Sequence, residues 1–155
     1  TTLRRRHPVL HRWLGAAYLV LGIGAGGLSG FAMALDAYGG GWARAGFGTL
    51  AVLWLVTGAV ALVCILRGKV QAHRRWMTRN YALTLAAVAL RLYLPASVVG
   101  GIALDVAYPI VAWLCWVPHL VVAEWLLRRA ELAAHTPTTH PAAGHSTSVR
   151  PAVLR

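Results

Sequence analysis

The sequence predicts an all-α integral membrane protein: a four-helix bundle with both termini in the cytoplasm and a disordered C-terminal tail. Three observations lead there. Of 155 residues, 58% are hydrophobic and only 12% charged, about half the charged share of a soluble domain. Mean hydropathy is +0.60. The charges are gathered between long apolar stretches rather than diluted evenly. A formal net charge of +11 would suggest nucleic acid if carried by a soluble domain. Cations placed between apolar stretches instead set membrane orientation, so no nucleic-acid partner is expected.

A bilayer core about 30 Å thick needs about 20 apolar residues as a helix, because no backbone amide can go without a partner in hydrocarbon. Four stretches qualify, at about 13–35, 45–66, 76–94 and 109–127. The third is apolar only from Asn80 onward; the basic turn from His73 to Arg79 extends it while its long side chains snorkel to the headgroups. Together they form a transmembrane domain over 1–132, followed by a tail over 133–155 rich in Thr, Pro, Ala and Ser. That tail carries no apolar periodicity and reads as flexible.

Thirteen of the fifteen Lys and Arg residues fall on one side of this threading: before the first span, between the second and third, and after the fourth. The positive-inside rule then puts both termini in the cytoplasm of a cell whose plasma (inner) membrane the chain crosses, with anionic headgroups as the basic segments' partners. Trp13, Trp76 and Trp125 fall at that interface, and Trp42 and Trp113 towards the other. A cleaved signal peptide is the competing account of the first span. Its apolar run of about 20 residues exceeds the usual 7 to 15. Cys64 and Cys115 lie in different spans and imply neither a disulfide framework nor a metal site.

Polar residues inside spans are costly and should face the bundle interior or a water-filled cavity. On the third span His73, Met77, Asn80, Thr84, Ala87 and Arg91 share one helical face. On the first, His11, Gly15, Tyr18, Gly22, Gly26, Ser29, Met33 and Asp36 do the same. Gly22, Gly26 and Gly30 permit close approach by another helix or by a flat cofactor. Two clusters are expected. Near one face, Arg91 has Asp36 and Asp105 as counter-ions; near the basic face, His11, His73, Arg79, Asn80 and Glu124 converge, with Glu124 needing Arg79 or a histidine to stay charged. His119 follows Pro118, which frees a backbone carbonyl one turn earlier. A neutral imidazole bonding that carbonyl competes there with a ligand or proton-relay role.

The stretches His11–Gly15, His73–Thr84 continuing to Arg91, and Trp113–His119 continuing to Glu124 resemble the bacterial membrane-protein family catalogued as domain of unknown function 2306. The resemblance covers about residues 11–127. It implies a small multi-helix integral membrane protein and supplies no established activity.

The residues themselves support a multi-pass membrane protein whose inward-facing His, Arg and Glu clusters bind a small ligand or partner, or serve a transport or accessory role, alone, as a homodimer or within a membrane complex. The alternative is a redox protein in which His11 and His73 ligate a b-type haem between the first and third helices, with Met77 as a substitute ligand. No nucleophile, base and orienter occur together, so hydrolysis has little support.

Overall fold

The computed structural model describes residues 6–135, and these form four long helices with no strand among them. Each is long and apolar enough to cross a membrane: α1 (Pro8–Leu35), α2 (Gly40–Leu66), α3 (Val70–Val99) and α4 (Leu104–Ala134). All four outrun the expected spans, because hydropathy marks only the part that needs hydrocarbon, whereas backbone hydrogen bonding continues into the interfacial layer. The fourth helix is the clearest case. Its last segment runs to His135, past the expected boundary at 132, and the tail beyond 135 lies outside the described residues.

Connections are short, so consecutive helices run antiparallel. Gly39 opens α2 at φ +86, where a Cβ would also meet Pro109 Cγ at 2.9 Å. Gly68 turns the chain into α3 at φ +71, and Gly100–Ala103 alone joins α3 to α4. We call the end holding the 67–69 turn the basic end, and the other the far end.

The apolar core lies between α2, α3 and α4: Leu83, Ala86, Ala89, Val111, Cys115 and Trp116 are buried together, with Phe47, Leu50, Leu53 and Trp54 packed against them. Two helices bend to reach it. α3 is interrupted at Leu85 and α4 at Cys115–Trp116, just before Pro118, whose missing N–H breaks the helical ladder. After its interruption α3 buries Ala86 and Ala89 and turns Ala87 and Arg91 outward. Leu83 belongs to the core.

α1 stands apart from that core and packs on α2. Its first turns, Pro8–Ala17, bury no residue. Without a hydrophobic driving force between helices in lipid, such attachment depends on close packing and hydrogen bonds. Both are present. Gly27 admits the Leu55 side chain, and Gly58 of α2 admits Ile23 of α1, each so close that a Cβ would sit under 3 Å from the neighbour.

Residues Tyr18–Ala25 of α1 are π-helical, which corrects the expected face. A π turn inserts one extra residue, so the line packed inward runs Tyr18, Ile23, Gly27, Gly30, Ala34 and Ala37, while Gly26, Ser29 and Met33 of the expected face border a cavity and Asp36 points away. Beyond the π segment every inward position is one residue later than a regular helix predicts. Ser29, Met33 and Asp36 are exposed.

Candidate functional site

Two polar groupings and a cavity result, and they differ from the two expected clusters. The first is a closed hydrogen-bond network around Asn80, which is fully buried. Its amide nitrogen donates to the Trp54 carbonyl and to Thr57 Oγ1, both at 2.9 Å, and its side-chain oxygen accepts from Tyr18 Oη at 2.8 Å. Thr84 Oγ1 accepts from Trp54 Nε1 at 2.9 Å, donates to the Asn80 carbonyl at 2.9 Å, and lies 3.0 Å from Tyr18 Oη. Both amide hydrogens and the side-chain oxygen of Asn80 have partners, and no buried side-chain polar atom among the described residues lacks one. The chemistry follows from the setting: an amide in hydrocarbon must be saturated by protein.

The second grouping is ionic. Arg79 grips Glu124 of α4 bidentately: Nε donates to Oε1, and Nη2 donates to Oε2 at 3.1 Å. The same guanidinium lies 4.7 Å from the Trp76 ring centroid. A turn nearer the basic end, Arg75 pairs with Glu131 at 2.8 Å. Arg79 and Asn80 were expected to share a cluster, but successive residues on a helix point about 100° apart. Arg79 therefore faces α4, while Asn80 faces α1 and α2.

The histidines do not join either grouping. His73 Nδ1 donates to the Ala61 carbonyl at 2.8 Å. His11 is exposed, on turns that bury nothing. Tyr18 contacts Asn80, and His11 and His73 each precede these by seven residues, so the two histidines share a depth. Met77, one turn from His73, is half-buried. His119 Nδ1 donates to the Cys115 carbonyl one turn back at 2.9 Å, at the break before Pro118. No group of three or more His, Cys, Asp or Glu among the described residues is placed to hold a metal ion.

The third feature is a cavity of about 450 Å³ between the second half of α1 and the second half of α3, floored by α2. Gly26, Gly27 and Gly30 form one wall, Ala86, Ala87 and Leu90 another, and Phe47, Leu50 and Trp54 the floor. Thr84 lies at its basic end and Arg91 is seven residues, about 10 Å, further on. The glycines thus divide their roles. Gly27 serves packing, whereas a Cβ at Gly30 would meet nothing within 4 Å.

At Arg91 the expected ion pairs do not form. The guanidinium is exposed at the cavity and its Nη1 donates to the Ala87 carbonyl at 2.8 Å. Asp36 is turned out by the π segment, and Asp105 is exposed in the first turn of α4, where helix N–H groups favour a carboxylate. Sequence reasoning found Asn80, Thr84, Arg79, Glu124 and Arg91 but missed Trp54 and Thr57. A tryptophan mid-span is itself a signal, since its N–H needs an acceptor there.

These features define a membrane protein with four candidate spans, a saturated polar core and a lateral cavity. Residues 1–127 match the family described as "Predicted membrane protein (DUF2306)", and the chain belongs to that family. No curated protein and no solved structure matches it.

Proposed function

We propose that the protein binds a small, mainly apolar ligand drawn from the bilayer into the cavity between α1 and α3. The cavity itself carries this reading. At about 450 Å³ it falls within the roughly 300–1,000 Å³ of ligand pockets. It lies where two helices fail to close on one another, bridged at its inner end by the Tyr18 hydrogen bonds to Asn80 and Thr84. Glycine at position 30 borders open space, since a Cβ there would meet nothing within 4 Å. The basic end faces the cytoplasm of a plasma-membrane protein in this reading, on the distribution of Lys and Arg. Anionic headgroups are its partners there.

The test is native mass spectrometry of protein released from lipid nanodiscs. Wild type should retain a lipid-sized adduct that Gly30→Phe lacks while melting at the same temperature. Equal adducts on both would overturn the reading.

His73 favours a second reading. Its Nδ1–H is held by a backbone carbonyl, the arrangement that orients metal-ligating imidazoles, and His11 lies at the same depth. A b-type haem there would give a Soret band lost in both His11→Ala and His73→Ala. A colourless, folded preparation from haem-replete cells would dismiss it. The cavity touches neither histidine, which is why the lipid-ligand reading comes first.

A further inference from the structure

We propose that Arg91 receives the carboxylate of a single-chain amphiphile whose apolar tail fills the cavity between α1 and α3. This rests on the reading of the cavity as a ligand site and adds the chemical class of the ligand.

The argument begins with charge accounting. The chain holds four acidic residues. Glu124 is taken by Arg79 and Glu131 by Arg75, while Asp36 and Asp105 form no ion pair with Arg91 among the described residues. An arginine within a span is costly unless something neutralises it or it reaches the interface. Arg91 is eight residues, about 12 Å, short of the far end of α3 at Val99. Its guanidinium does not reach outward. It curls back one turn towards the centre of the span to meet the Ala87 carbonyl, and Ala87 also lines the cavity. One of the five guanidinium N–H donors is satisfied by that bond, and the rest remain for an oxyanion.

Shape and charge narrow the class. A volume of about 450 Å³ lies in the lower half of the range for ligand pockets, roughly 300–1,000 Å³, which suits one acyl chain better than a two-chain lipid. Arg91 is the one charged residue lining the cavity. A single guanidinium matches a monoanionic carboxylate through a two-pronged contact, whereas a phosphate monoester would bring a second charge with no second cation. Thr84, at the other end, has its hydroxyl occupied by Trp54, Tyr18 and Asn80, so the tail meets no unsatisfied group there.

The experiment uses the full chain in phosphatidylcholine nanodiscs at about pH 9, where a carboxyl is ionised. The probes are 9,10-dibromostearic acid and 9,10-dibromostearyl alcohol. Bromine quenches tryptophan on contact, Trp54 lines the cavity, and Gly30→Phe protein supplies the blank for quenching elsewhere. Wild type should show saturable, Gly30-sensitive quenching with the acid binding at least tenfold tighter than the alcohol. Arg91→Gln should bring the acid down to the alcohol's affinity, and Arg91→Lys should retain part of the preference. Equal affinity of acid and alcohol for wild type, or an acid preference that survives Arg91→Gln, would overturn the proposal while leaving the cavity reading standing. No Gly30-sensitive quenching by either probe would overturn both.

Discussion

Arg79 and Arg91 lie on the same helix, twelve residues and about 18 Å apart, and their surroundings are opposite. Arg79 faces α4 where Glu124 meets it with both carboxylate oxygens and Trp76 covers its face. Arg91 faces the gap left by α1, meets a backbone carbonyl of its own helix, and has no acid. The difference comes from which helix lies opposite. α3 and α4 close on one another from end to end, whereas α1 holds to α2 and meets α3 through Tyr18. A charge at the closed seam is a structural fastening; a charge at the open one is available to something else.

The fastening side should dominate stability, and the open side should hardly affect it. The largest loss is expected at the network joining the two. Asn80→Leu removes three hydrogen bonds at a fully buried site, costing about 3 kcal/mol. Unfolding by SDS in mixed micelles, followed by circular dichroism, measures it. Next, Glu124→Gln leaves Arg79 without its counter-charge and should cost about 2 kcal/mol, below the value for a fully buried pair because both side chains keep partial exposure. The double variant Arg79→Gln/Glu124→Gln should lose no more than Glu124→Gln alone. The glycines should differ in sign. Gly27→Ala drives a Cβ into Leu55 and should cost about 1–2 kcal/mol, while Gly30→Ala meets open space and gains helix propensity, shifting stability upward by a few tenths of a kcal/mol. The smallest effect belongs to Arg91→Gln, within about 0.5 kcal/mol of wild type. A loss there as large as for Glu124→Gln would erase the contrast between the two arginines.

How far the sequence could be read depended on whether a group's partner was dictated by scarcity or by register. Four spans follow from apolar length alone, and the fold was legible to that level. The Arg79–Glu124 pair was legible because Glu124 is the single acid in its part of α4 and needs a cation. Asn80 and Thr84 were legible as inward-facing, since an amide in hydrocarbon has few other places to go. Their partners Trp54 and Thr57 were not, because α2 is apolar on every side and offers no face to read. The Asp36 expectation failed for a backbone reason. Tyr18 followed by a run of small and aliphatic residues to Ala25 carries no local mark of π geometry, yet one added residue there rotates the rest of α1 by about 100°.

Photolabelling tests the central claim most directly. A stearic acid bearing a diazirine near its tail, irradiated with the protein in nanodiscs and mapped by peptide mass spectrometry, should mark Gly26–Met33 of α1 together with Ala86–Leu90 of α3, and excess unlabelled stearic acid should suppress both. Labels spread evenly over outward residues such as Val20, Val121 and Leu126, unaffected by competitor, would mean that the gap between α1 and α3 holds no ligand.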